Sequence, residues 1–110
     1  MHLTPAIMEG AYNLLLTTPP FKGWKLPPSD EVVFIVLRTD RHSAAHSKDA
    51  KGRHTIRLSH RKHATLASVI ATVAHEMAHM RDTSKAHHGA QWHRLADRIC
   101  KIHGFDRGQF

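Results

Sequence analysis

From residue 66 to residue 80 the apolar side chains fall on a helical stripe. Leu66, Val69, Ile70, Val73, Met77 and Met80 keep the i, i+3, i+4, i+7 spacing of one buried face. Residues 64–82 contain no Gly or Pro, and Ala recurs five times, so the spacing predicts a helix over this range. Residues 5–16 read as an earlier helix with Ile7, Tyr12, Leu15 and Leu16 as core positions. Pro19-Pro20 ends it, and Pro27-Pro28 closes an irregular stretch containing Phe21, Trp24 and Leu26. Residues 31–39, rich in Val and Ile, read as a strand buried on both faces. Residues 54–59 alternate, with Ile56 and Leu58 on one side and Thr55 and Arg57 on the other. The two strands are expected to form an antiparallel pair joined through residues 40–53. Residues 90–102 read as a last helix with Trp92, Leu95, Ala96 and Ile99 inward and Gly104 as its stop. This order predicts an α+β fold, with no internal repeat and no low-complexity segment.

The polar face of the helix at 64–82 carries the candidate chemistry. At 100° per residue, His75 and His79 lie about 180° and 220° from Leu66, opposite the apolar stripe and among Ser68, Ala71 and Thr72. Residues four apart share a helix face, so two imidazoles can grip one ion. His75-Glu76-Met77-Ala78-His79 matches His-Glu-x-x-His, a metal-binding pattern in which the Glu can take a proton from a water on the ion. With 12 His and three Glu in 110 residues, about 0.03 such matches arise by chance. A catalytic zinc takes three protein ligands and leaves one position for water. Gly and His do not stand three and six residues after His79, where Asp82 and Lys85 lie, and no Glu follows Glu76. A third ligand must therefore be a His beyond a short connection, and His87 and His88 both lie there.

The pair of motifs resembles the SprT-like (Spartan-type) zinc metalloproteases, in which a His-Glu-x-x-His helix is followed by a variable connection and His-Gly-x-x-Phe/Trp. Here the first motif is followed by residues 80–87 and then by His88-Gly89-Ala90-Gln91-Trp92. The resemblance implies that His75, His79 and His88 hold one Zn²⁺ and that Glu76 is the catalytic acid/base. It also implies a small zincin-like domain with an N-terminal helix, a short antiparallel sheet, the motif helix and a C-terminal helix. Such an enzyme hydrolyses peptide bonds of proteins attached to DNA. Relatives often carry a Cys-based zinc ribbon after the catalytic domain. The lone Cys100 excludes one here, as it excludes an internal disulfide, so residues 1–110 are expected to be one catalytic domain. On the last helix, Cys100 itself reads as a small buried apolar residue.

Charge adds a partner. The chain carries +7, and residues 38–63 hold eight Lys/Arg against two Asp. Residues 41–53 read as a mobile basic loop, and His42, His46, His54, His60 and His63 would add charge in mild acid. Arg41, Lys48, Lys51, Arg53 and Arg57 are the candidate contacts to DNA phosphates, and the loop's lack of aromatic residues excludes base stacking. No run reaches the 18 apolar residues of a membrane span, and the N-terminus lacks the basic start of a signal peptide. The expectation is a monomeric cytoplasmic protein, bacterial or phage-encoded. A DNA-independent zinc peptidase and a non-enzymatic nucleic-acid binder with structural zinc stand as alternatives. A second donor for the reacting oxygen is sought among His60, His63, His93 and Tyr12.

Overall fold

A computed structural model describes residues 1–39, 42–63, 65–84 and 86–110; Asp40, Arg41, Ala64 and Lys85 lie outside them. The first helix, α1, spans Pro5–Leu16. Pro5 supplies a fixed φ in the first turn, and the Thr4 hydroxyl accepts from the Ile7 N–H at 3.2 Å, covering a donor the helix leaves unpaired. Met8, Ala11, Tyr12 and Leu15 are buried, while Ile7 and Leu16 are half-buried. Two single 3₁₀ turns, Phe21–Gly23 and Ser29–Glu31, lie in the proline-punctuated stretch that follows. Phe21 is fully buried there, and the Tyr12 hydroxyl donates to the Pro27 carbonyl at 2.7 Å. Burial pushes the Tyr12 pKa well above its ordinary value.

Three strands form one sheet, β1 (Val33–Leu37), β2 (Ala44–Lys48) and β3 (His54–Ser59), in the order β1-β3-β2. The expected antiparallel pairing of the first and last of these is corrected: β1 runs parallel to β3, with Val33 opposite Thr55 and Leu37 opposite Ser59. The reversal comes from β2, which pairs antiparallel with β3 and occupies part of the segment expected to be a mobile loop. Ala-Ala-His-Ser-Lys has no apolar alternation, so nothing in its pattern marks a strand. Its pairing rests on backbone hydrogen bonds and on the turn after it. There the Asp49 carboxylate accepts from the Lys51 and Arg53 N–H groups, each at 2.9 Å, and Gly52 takes φ +84°.

By alternation and register, Phe34, Val36, Ala44, Ile56 and Leu58 share the sheet face that meets the core. Ile56 and Leu58 are fully buried in the central strand. β1 is an edge strand, half-buried along its whole length, which corrects the expectation of burial on both faces.

The motif helix, α2, spans Leu66–Arg81, and α3 spans Ala90–His103. The Thr65 hydroxyl accepts from the Ser68 N–H at the start of α2. Val69, Val73, Ala74, Met77 and Ala78 are buried, and Ile70 and Met80 half-buried. Leu66, expected in the stripe, is 53% exposed because it stands on the first turn, short of the core. On α3, Trp92, Ala96, Ile99 and Cys100 are buried, Leu95 is half-buried, and Gly104 ends the helix with φ +77°. α2 packs on α1, β2, β3 and α3, which makes it the centre of the molecule.

Tyr12→Phe should lower stability by about 1 kcal/mol, since it removes one buried hydrogen bond and keeps the ring. Thermal unfolding should show a Tm lower by roughly 4–8 °C; an unchanged Tm would mean that the Pro27 contact does not hold the irregular segment.

Candidate metal centre

α2 turns its buried stripe to the core and presents Ala71, Thr72, His75 and His79 to a cleft of about 780 Å³. The opposite lining comes from Ser43 and from Ala44 to His46 of β2, from Ala86 to His88, and from Phe105, Asp106, Gln109 and Phe110 after α3. His75, His79 and His88 each offer a ring nitrogen, and these three atoms lie within 4.8 Å of one another. The Nε2 atoms of His79 and His88 are 3.0 Å apart. Two nitrogens bound tetrahedrally at about 2.0–2.1 Å from zinc stand about 3.3–3.4 Å apart, so the spacing nearly fits the ion already.

Two features aim His88 at the helix. Its backbone is left-handed, with φ 49°, a conformation that costs a non-glycine residue about 1–3 kcal/mol and persists only where the surroundings impose it. Gly89 follows because a Cβ there would stand 2.7 Å from the Ala86 Cβ. The connection itself is tied to α3, whose Gln91 side-chain oxygen accepts from the Thr83 and Ser84 N–H groups at 2.8 and 3.0 Å. His87 is exposed, with its ring stacked on that of His88 at 4.1 Å.

Behind the three rings, the His75 Nδ1–H donates to the Phe110 carbonyl, which leaves Nε2 free to bind an ion. The Trp92 indole stacks on His88 at 4.1 Å and lies 4.8 Å from His75. Arg107 fixes the segment after α3: its guanidinium pairs with Asp97 at 2.6 Å, donates to His93 Nδ1 at 2.7 Å and lies over the Trp92 ring.

Burial, then mutual proximity, keeps these imidazoles neutral. Desolvation pushes His75 down to about 4, only partly offset by the Phe110 hydrogen bond, and His79 to about 4 with His75 and His88 adding to the effect. His88 is lowered by the same cause. Neutral imidazole is the form that binds a metal. Glu76 is 3% exposed, burial raises its carboxyl to about 7, and Oε2 has no hydrogen-bond partner among the described residues. A buried carboxylate oxygen left unpaired beside three imidazoles fits a cation or a water held by one.

The other expected site residues are scattered. Lys48, Lys51 and Arg53 meet at the β2–β3 turn and are exposed. Arg57 projects from the opposite sheet face, where it donates to the Ser47 hydroxyl at 2.9 Å. Arg41 lies outside the described residues. Burial first, then neighbouring charge, pushes His46 to about 4, so it does not add charge in mild acid as expected, and the same causes lower His54. The four candidates for a second oxygen donor are all engaged elsewhere and none lines the cleft. Tyr12 is bound to Pro27, His60 to the Leu37 carbonyl, His93 to Arg107, and His63 to Ser59 and Thr72. His46, passed over as a site residue, does line it. The strand that brings it there has no apolar pattern to reveal it.

A family model described as the SprT-like family matches residues 23–108, which include all three strands, α2, α3 and every residue of the His cluster. No curated protein matches the chain. Cys100 is buried, as its place on the helix stripe implies, and no helix among the described residues is long and apolar enough to cross a membrane.

His88→Ala should lower zinc affinity by at least tenfold and lower the Tm measured with zinc present, because metal binding is coupled to docking of α3. His87→Ala should change neither. Zinc titration against a competing chelator would separate the two, and the reverse pattern would make His87 the ligand.

Proposed function

The chain belongs to the SprT-like family, and from that premise we propose that it is a zinc-dependent endopeptidase acting on DNA-associated proteins. Family membership is compatible with a metallopeptidase. The observation that carries the reading is Glu76, a buried carboxylate with one unpaired oxygen, set in one cleft with three neutral imidazoles. A purely structural ion has no use for such a group next to its ligands. Consecutive residues Ala44 to His46 of the edge strand β2 border the cleft, so backbone as well as side chains are available to an extended polypeptide.

His75, His79 and His88 would hold the ion, His75 being oriented by Phe110 and His88 by its left-handed backbone. When bound, zinc supplies a Lewis acid that polarises a peptide carbonyl and brings the pKa of a water near 7. Glu76 takes a proton from the water as its oxygen bonds to the carbonyl carbon. As the C–N bond breaks, Glu76 returns the proton to the departing amine, so the carboxylate is regenerated.

The DNA part of the reading rests on charge. Nearly all of the +7 falls in residues 38–63, and Lys48, Lys51 and Arg53 share one exposed turn. A DNA-independent peptidase is the second reading, favoured by Asp30 and Glu31, which line the same shallow groove as Lys51 and Arg53 and weaken the local positive field.

Glu76→Gln should keep one zinc per chain and a near-normal fold while losing hydrolysis of casein by at least a hundredfold, since only proton transfer is removed. Comparable activity in the variant would defeat the assignment. Neutralising Lys48, Lys51 and Arg53 together should weaken binding to every DNA sequence alike and flatten the log–log salt slope by up to roughly three units. Fluorescence anisotropy of a labelled oligonucleotide reads both effects, and absence of binding by the unaltered protein at low salt would favour the DNA-independent reading.

A further inference from the structure

We infer that His46 is a second catalytic residue of the cleft, donating a hydrogen bond from its free ring nitrogen to the oxygen of the carbonyl under attack, with His54 as its positioning partner. The inference rests on the peptidase reading and extends it to a residue outside both sequence motifs.

Hydrolysis of a peptide bond builds negative charge on the carbonyl oxygen, and fixed donors aimed at that oxygen are among the largest contributors to catalysis. His46 meets the requirements by position. It lies on β2, across the cleft from α2, and lines the same cavity as Glu76 and the three metal-ligand candidates. Its ring is parallel to that of His79, with an interplanar angle of 4° and centroids 6.4 Å apart. A carbonyl oxygen placed between an ion on His79 and β2 is the one that His46 would meet across the cleft.

The ring is also held. His46 Nε2 and His54 Nδ1 are 2.7 Å apart, and the two rings stack with centroids 5.0 Å apart. The register explains the pair: His46 stands opposite Ile56 and Lys48 opposite His54, so the two histidines are diagonal neighbours on one sheet face above the buried Ile56. One proton lies between them. When the His54 Nδ1–H donates to His46 Nε2, the remaining proton of neutral His46 sits on Nδ1, which has no partner among the described residues and is the donor it offers to the cleft. A surface histidine would need neither the clamp nor the half-buried place. His87, the other cleft histidine outside the ligand set, is exposed, and no hydrogen bond orients its ring among the described residues.

His46→Leu, His46→Gln and His54→Ala would be compared with the unaltered protein and Glu76→Gln, all loaded with zinc, on casein and on a phosphonamidate peptide whose phosphoryl oxygens stand in for the reacting oxygens. His46→Leu should keep one zinc per chain, lower kcat by about 10²–10³-fold with KM within a few-fold, and bind the phosphonamidate weaker by a similar factor. His46→Gln, which retains an N–H donor, should recover at least tenfold of the lost kcat, and His54→Ala should fall between. Unchanged kcat in His46→Leu would overturn the role. So would a loss confined to KM, or lost zinc in both His46 variants. If the unaltered protein hydrolyses nothing, the peptidase reading itself fails; if it does and Glu76→Gln does not, an active His46→Leu defeats this inference alone.

Discussion

Three uncharged imidazoles cannot be brought together with their ring nitrogens within 4.8 Å of one another, in one cleft with a buried carboxyl group, unless two helices are held rigidly in register. That constraint organises the molecule. α2 contributes two of the rings from the side opposite Val69, Val73 and Met77 and the Glu76 carboxyl from the buried flank of that stripe, so the same packing that buries the stripe fixes the site. α3 contributes the third ring through a turn at His88-Gly89 that no larger residue than Gly could follow. Desolvation keeps the rings neutral and raises Glu76, and both effects make the cluster better at holding a cation than at standing alone.

The remaining elements serve that pair of helices. The central strand β3 backs α2 with Ile56 and Leu58 at full burial, and α1 packs against both α2 and β1. β2 supplies the facing wall of the cleft, including His46. The segment after α3 returns to place the Phe110 carbonyl on His75, and Arg107 anchors it through Asp97, His93 and Trp92. Metal ligands commonly depend on such outer contacts for their tautomer and orientation. In this chain those contacts come from residues far from the motif helix in sequence.

What the sequence made legible follows the strength of local signals. α1, α3, β3 and the core face of α2 were readable because period 3.6 or 2 was written in large apolar residues with capping residues at the ends. The His cluster was readable because both halves of it lie in short motifs. β2 was not, because its Ala, His, Ser and Lys side chains carry no period, and its existence depends on β3 offering an edge. Missing β2 also inverted the pairing of β1 and hid His46. The Phe110 and Arg107 contacts were equally invisible, being tertiary meetings of residues with ordinary surface composition. Leu66 erred in the other direction: its spacing was right, but the core ends one turn short of it.

We propose that His75, His79 and His88 together hold one catalytic zinc. The most direct measurement is the metal content of the purified protein together with casein hydrolysis after chelator treatment and after adding zinc back. One zinc per chain, loss of hydrolysis with its removal, and recovery at one equivalent are the expected results. Stoichiometric zinc absent from an active protein, or hydrolysis indifferent to its removal, would contradict it.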